Sequence, residues 1–317
     1  MKKIGILHGK ERTFPQALIE RINSLGEPGL TAEPVHINIV EQGAPTNYAV
    51  ILDRISQDVP FYRAYLKNAA LNGTAVVNNP FWWSADEKFF NNCLAQKLGV
   101  AVPNTVFLPS HERPADCSPE SFSNLAYPLD WEGIFKYIGW PAYFKPHSGG
   151  GWKNVYKVRD QDEFFKAYAE TGQLVMLLQA EVQFDDYYRC YCIGGTDVRI
   201  MQYEPRNPHH LRYVVERPAP SAALLDRVRS DVLKLNRALG YDFNTVEFAI
   251  HDGVPYAIDF CNPAPDADRA SVGEENFAWV VDAAAKLLVK KAKAYAPDKN
   301  GLSWGTFAKN FANGGSL

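Results

Sequence analysis

The sequence predicts a mixed α/β protein: an N-terminal domain whose strands pair mainly in parallel, then a second α/β region of antiparallel character. Three observations predict it. Strands and helices alternate as strand, helix, strand, strand, helix, strand over the first 85 or so residues. Residues 141–205 then read as short strands around a single helix. Finally, a long amphipathic helix leads into two strands separated only by Asp252-Gly253, a hairpin signal.

Each element has a local reason. "KKIGILHG" reads as a strand ending in Gly9, and "FPQALIERINSLG" follows with apolar residues at helical spacing and Gly26 as its stop. "TAEPVHINIV" and "YAVILDRI" read as strands, "PFYRAYLKNAALNG" as a helix and "TAVVN" as a fourth strand. No G-x-G-x-x-G follows the first strand, so a Rossmann dinucleotide site is not indicated. "SADEKFFNNCLAQKLG" reads as a helix with Ser84 and Glu87 at capping-box spacing. "VAVPNTVFL" is an extended exit, and His111 to Trp131, rich in Pro, Ser and Asp, reads as a surface loop.

Strand "PAYFKP", a glycine loop, strand "NVYKV", helix "DQDEFFKAYAETG" and strands "LVMLLQAEV", "YRCYCIGG" and "DVRIMQYEP" make the second region. Helix "SAALLDRVRSDVLKLNRALG" precedes the hairpin strands "DFNTVEFAIHDG" and "VPYAIDFCN". "NFAWVVDAAAKLLVKKAKAYA" is a closing amphipathic helix, and the tail after Pro297 reads as loosely held.

Composition narrows the function classes. With 317 residues, 46% apolar and 22% charged, the chain is ordinary globular material, and a formal charge of -3 gives no footprint for nucleic acid. The N-terminus lacks a signal peptide's apolar core, and no window approaches the ~18 apolar residues of a membrane span. Cys93, Cys117, Cys190, Cys192 and Cys261 are scattered and odd in number, which suits a reducing cytoplasm. Cys190 and Cys192 share a strand face without a second pair to complete a zinc site, so a buried structural role is expected.

Three constellations carry chemistry. In "AYFKPHSGGGWKNVYKV", Lys145 lies on the strand before a tip running from Ser148 through Gly149, Gly150 and Gly151 to Lys153. The spacing is neither that of a Walker A loop nor that of a kinase loop. A glycine tip rich in N–H groups can close over a triphosphate, though a plain hairpin loop reads equally well. In "TVEFAIHDGVPYAIDFCN", Glu247 and Asp259 lie on strands either side of the turn, with Asn262 just beyond. Two carboxylates and a carboxamide oxygen suit Mg²⁺, and the competing reading is an exposed hairpin. In "LLQAEVQFDDYY", the backbone of Gln179, Ala180, Glu181 and Val182 can pair with an adenine edge. Asp185 or Asp186 can accept from ribose hydroxyls, or the segment is only a strand ending in a turn.

Taken in order, these segments resemble the ATP-grasp superfamily over roughly residues 48–265, in particular glutathione synthetase, the ligases that add glutamate to a ribosomal protein, and D-alanine:D-alanine ligase. The resemblance implies the ATP-grasp fold, an N-terminal domain over 1–85, a linker helix and glycine-rich lid over 86–200, and a metal-bearing subdomain over 201–317. "DEKFFNNCLAQKLGVAVPNTVFL" is similar to the family's D/E-K helix and its exit, implying that Lys88 and Lys145 contact ATP phosphate under a lid of Ser148 to Gly151. "LLQAEV" looks like the adenine hinge, while Asp185, Asp186 and Tyr187 compete for the ribose. "HHLRYVVE" makes Arg212 the phosphate-binding and catalytic candidate beside Lys145. Glu247, Asp259 and Asn262 fall on the Mg²⁺ positions, with Mn²⁺ an alternative. Relatives have the Asn two residues after the second acid and "DFCN" makes it three.

The implied activity is an ADP-forming carboxylate–amine or carboxylate–thiol ligase that works through an acylphosphate on small-molecule or peptide substrates. Arg54, His209 and Asp266 are its substrate candidates. No nucleic-acid or membrane partner is expected, and a homodimer is not barred. A small-molecule kinase of the same fold and a non-catalytic nucleotide-binding module are the competing readings.

Overall fold

A computed structural model of the chain describes residues 1–81, 88–150, 152–213 and 217–296. The Ser84–Glu87 capping box, Gly151 and the tail from Pro297 lie outside the described residues. Contacts divide the chain into two compact units: residues 1–83, 186–255 and 259–317 form the first, and 84–185 with 256–258 form the second.

The first unit opens with a parallel sheet ordered β2-β1-β3-β4. Its strands are β1 (Lys2–Leu7), β2 (Leu30–Pro34), β3 (Val50–Asp53) and β4 (Ala75–Val77). β3 is buried along its length, as a parallel strand covered on both faces must be. Helices α1 (Thr13–Ser24) and α2 (Pro60–Leu71) connect them, with Pro60 at the first turn of α2, where a missing N–H costs nothing. β2 stops at Pro34, six residues short of the run predicted to Val40, because proline cannot donate to the ladder and Val35 makes only one further bond, to Ile6 O.

An antiparallel sheet ordered β10-β9-β11-β12 belongs to this unit except for residues 256–258 of β12. It is built from β9 (Asp186–Ile193), β10 (Asp197–Gln202), β11 (Phe243–His251) and β12 (Val254–Asp259). Asp252 and Gly253, at φ 48° and 73°, make the two-residue turn that the sequence signals. A division of the chain at residue 200 would cut β10.

Alternation along β9 sends Cys190 and Cys192, both fully buried, to one face and Tyr191 to the other. α6 (Ala222–Leu239), capped by Ser221 at one end and by Gly240 in the left-handed region at the other, packs on this sheet. α8 (Glu274–Lys293), after the four-residue α7 (Arg269–Val272), packs on α1, β1 and β9. Ile4, Leu52, Phe14, Phe243 and Val280 are among the side chains of the shared core. Buried Asn78 ties the end of β4 to β11, accepting from the N–H groups of Asp242 and Phe243 and donating to Phe243 O.

The second unit is an antiparallel sheet ordered β5-β8-β6-β7. It comprises β5 (Thr105–Leu108), β6 (Ala142–Pro146), β7 (Tyr156–Val158) and β8 (Met176–Ala180), with α3 (Lys88–Lys97), α4 (Trp131–Ile138) and α5 (Gln161–Glu170). The extended exit thus becomes the edge strand β5. The strands predicted as one group divide between two sheets, with β8 in this one and β9 in the first unit. The expected loop His111–Trp131 contains a 3₁₀ turn at Pro119–Phe122 and ends where α4 begins. α4 follows from local chemistry, since Asp130 accepts from the Gly133 N–H and Trp131, Ile134, Phe135 and Ile138 recur at helical spacing. The core is heavily aromatic: Trp131, Phe135, Phe144, Phe164 and Tyr168 interlock at ring separations of 5.1–6.0 Å. Among the described residues, no helix is long and apolar enough to cross a membrane.

Candidate functional site

In the second unit, Lys145 Nζ donates to Gln179 Oε1 at 2.7 Å, and Gln179 Nε2 donates to Thr105 Oγ1 at 2.8 Å and to Asn92 Oδ1 at 3.4 Å. Gln179 is buried at a register position that pairs with both Thr105 and Tyr143, so one carboxamide links three strands and α3 to the lysine. Gln179 was expected to contribute backbone groups; the structure shows its side chain orienting Lys145. Lys88 Nζ donates to Gly149 O, which brings one of the predicted phosphate ligands to the glycine tip.

The hinge amides are already partly committed. Ala180 N–H bonds to Asn104 O at 2.9 Å and Glu181 N–H to Pro141 O at 3.1 Å, leaving Val182 as the hinge residue whose amide is not used by the sheet. Glu181 Oε1 accepts from Lys157 Nζ at 2.6 Å and from Tyr143 OH at 3.3 Å. Burial, then the Glu181 charge, raises the Tyr143 hydroxyl above its ordinary pKa and keeps it a donor. Ser148, Gly149 and Gly150 form an exposed tip with Gly149 at φ 84°. Trp152 is 62% exposed at φ 62°, a region that favours glycine.

In the first unit, Glu247 and Arg189 are direct partners across β11 and β9, and their side chains approach to 3.4 Å. Tyr187, two residues before Arg189 and on the same face, donates its hydroxyl to Glu247 Oε2 at 2.8 Å. Only 15% of the Glu247 side chain is exposed. Burial raises its carboxyl pKa above the usual range against the pull of Arg189, and Asp259 adds to the rise, which places the two carboxylates within each other's field. Asp259 itself is exposed.

Asn262 is held by its N–H to Asn244 Oδ1 at 2.7 Å and by Nδ2 to Thr245 O at 3.3 Å, so the extra residue in "DFCN" still leaves a fixed carboxamide. Among the described residues, no group of three His, Cys, Asp or Glu has metal-binding geometry. The donor set nonetheless fits Mg²⁺, which takes one or two carboxylates and completes its shell with water and phosphate oxygens. A half-sealed acid whose ionised form is disfavoured is also relieved by a cation.

Arg212 donates from Nε to Asn207 O at 3.1 Å and from Nη1 to Tyr203 OH at 3.3 Å, and its charge reaches Glu247. Of the ribose candidates, Asp186 lies 3.5 Å from Arg217, Tyr187 is engaged with Glu247, and Asp185 is exposed. Arg217 and Arg206 also clasp Glu204, and hydrogen bonding from Arg206, against burial, lowers its carboxyl to about 2.

The three substrate candidates converge within this unit. Arg54 forks Glu11 and donates to Pro265 O at 2.7 Å, with its guanidinium 4.9 Å from the Phe14 ring centre. The next residue, Asp266, has its carboxylate 3.7 Å from His209 Nε2. Arg54 therefore spends one edge of its fork on a protein acid. Sequence reasoning missed Arg189, Thr105, Asn92 and Glu11; Arg189 had a signal, a cation alternating with tyrosines in an otherwise apolar strand. A cleft of about 560 Å³ lined by Ala70, Val76, Thr196, Arg237 and Tyr241 borders the start of β11, and none of the predicted residues lines it.

No protein-family profile matches the chain, and no curated protein sequence does. Solved structures do. A RimK domain ATP-grasp protein from Sphaerobacter thermophilus superposes with a TM-score of 0.63 at 18% identity, covering 90% of this chain and 99% of that one. A RiPP-associated ATP-grasp ligase from Chryseobacterium gregarium, in complex with ADP and a leader and core peptide, gives 0.60 at 15% identity over 95% and 100%. D-alanine–D-alanine ligase from Bacillus anthracis, complexed with ATP, gives 0.56 at 16% over 93% and 98%. These likenesses each cover nine-tenths or more of the chain, and the chain has the ATP-grasp fold.

Proposed function

We propose that the protein is an ATP- and Mg²⁺-dependent ligase that joins a carboxylate to an amine, or to a thiol, through an acylphosphate, releasing ADP and phosphate. The observation that carries the reading is the coexistence, on an ATP-grasp fold, of an oriented phosphate-side lysine and a half-buried acid facing a second acid. The structural neighbours that are ligases, one with ATP bound and another with ADP and peptide, support it.

A substrate carboxylate oxygen attacks the γ-phosphorus, the bond to the β–γ bridging oxygen breaks, and ADP leaves with the electron pair. The amine nitrogen then attacks the acyl carbon, phosphate departs, and the nitrogen loses a proton. In this reading Lys145, fixed by Gln179, and Lys88 hold phosphate oxygens, and Arg212 stabilises charge on the transferred group. Val182 with its hinge neighbours takes adenine, and Asp185 or Asp186 the ribose. Glu247, Asp259 and Asn262 would hold Mg²⁺, which when bound neutralises the phosphates. The Ser148–Gly151 tip excludes water from the acylphosphate. Cytoplasmic location belongs to the same proposal.

Phosphate release from ATP and Mg²⁺ across pairs of carboxylates and amines, with mass detection of the product, tests the reading. A condensed product with equimolar ADP and phosphate is expected. A phosphorylated product without phosphate release would establish the kinase alternative instead.

A further inference from the structure

One face of the β9–β11 pair collects groups that the fold leaves unsatisfied. Glu247 pairs with Arg189 and Thr245 with Tyr191, so these four side chains project to one side of the sheet. Phe243 shares that face of β11, and the Arg54 guanidinium lies 5.3 Å from its ring centre. Tyr213 joins through Tyr203, whose ring is 4.9 Å from that of Tyr213 and 5.5 Å from the Arg189 guanidinium. Four buried polar atoms here have no hydrogen-bond partner among the described residues: Arg54 Nη1, Arg189 Nε, Tyr213 OH and Thr245 Oγ1. Buried polar groups are rarely left so, and four on one face mark a place where a ligand supplies the partners.

The unsatisfied atoms all carry hydrogens to donate. The carboxylates nearby are, by contrast, committed: Glu11 by Arg54, Asp266 by Ser271 and the Asp268 N–H, Glu247 by Arg189 and Tyr187, and exposed Asp259, on the ligase reading, by Mg²⁺. The site therefore offers donors and cations to an anion and has no uncommitted acid for an ammonium group. A free amino acid would bring its ammonium against Arg189 and Arg54, whereas a peptide C-terminus or an N-acylated acid brings only the carboxylate and a neutral amide.

On the ligase reading above, we infer that the acyl donor is a carboxylic acid without a neighbouring free ammonium, such as a peptide or N-acyl amino acid, and that Arg189 and Tyr213 bind its carboxylate. Both side chains are partly exposed, so a small rotation presents the sealed donors to it.

The test uses hydroxylamine as nucleophile, which converts any acylphosphate to a hydroxamate whatever the natural amine. Free amino acids, their N-acetyl derivatives and dipeptides are compared with ATP and Mg²⁺, and the thermal shift each produces with Mg–ADP is measured on wild type and Tyr213→Phe. N-acetyl acids and dipeptides should give kcat/KM at least tenfold above the free amino acids. Tyr213→Phe should raise KM for the acid about tenfold, leave KM for ATP unchanged and leave Tm equal or higher, because it removes a hydroxyl that has no partner in the unliganded chain.

Free amino acids that match their acetylated forms, or an unchanged KM in Tyr213→Phe, would overturn the inference while the ligase reading stood. Thermal shifts that depend on Tyr213, with no hydroxamate from any acid, would overturn the ligase reading and keep the binding site. No hydroxamate and no shift would overturn both.

Discussion

Glu247 sits in a strand whose neighbours on the opposite face, Val246 and Phe248, are fully buried, and it keeps its charge against burial only with help from Arg189 and Tyr187. Its raised pKa means the folded state binds a proton more tightly than the unfolded state, whose glutamate titrates near ~4.3. Stability from this group is therefore complete below that value and declines as pH rises toward the folded pKa. Glu247→Gln lacks the decline, so its Tm relative to wild type should climb as pH rises above about 4, while Mg²⁺ raises the Tm of wild type alone. Thermal melts across pH with and without Mg²⁺ check both, and parallel pH curves for the two proteins would refute the assignment. On the phosphate side, Lys145→Met removes the charge that Gln179 orients, and kcat/KM for ATP should fall about 10²-fold with the fold retained. Unchanged kinetics would remove Lys145 from the site.

Helix α4 shows how an element can depend on one close approach. Gly133 lies in its first turn, where alanine is ordinarily the better helix former by about 1 kcal/mol. A Cβ at this position would lie 2.3 Å from Asp130 Oδ2, the second oxygen of the carboxylate whose Oδ1 caps the helix. The cap and the side chain compete for one space. Asp130→Ala should cost about 1 kcal/mol of stability and Gly133→Ala a similar amount, whereas the double substitution should cost less than either alone. Urea unfolding of the three variants measures the cycle, and additive losses would refute the competition.

Each of the two units has its own core, one drawing on Ile4, Phe14 and Phe243 and the other on Phe135, Phe144 and Phe164. Calorimetric unfolding should accordingly depart from one two-state transition, with a van't Hoff enthalpy below the calorimetric one; equality would show the units melting together. What the sequence made legible follows the range of the interactions. The parallel character of the first four strands, the Asp252-Gly253 hairpin and the helices other than α4 and α7 were readable because alternation, periodicity and turn chemistry are local. The separation of β8 from β9 into different sheets was not, since their five intervening residues look like any short loop and strand pairing is decided at long range. In the candidate site, Glu247 and Lys145 announced themselves as charges in apolar strands. The Gln179 side-chain bond to Lys145 and the Glu11 partner of Arg54 were not legible, because only the fold shows which side chain meets Lys145 and which acid meets Arg54.

The left-handed Trp152 has an optical consequence. It is one of seven tryptophans and stands 62% exposed at the far end of the glycine tip, whereas Trp131 is enclosed by Phe135, Phe164 and Tyr168. An indole in water emits to the red, and one that loses its water emits to the blue. If the tip covers nucleotide, Mg–ADP should shift emission to the blue and lower acrylamide quenching, and Trp152→Phe should abolish both changes. A tryptophan held in a backbone region that favours glycine would then be a built-in fluorescent reporter of whether the lid is shut.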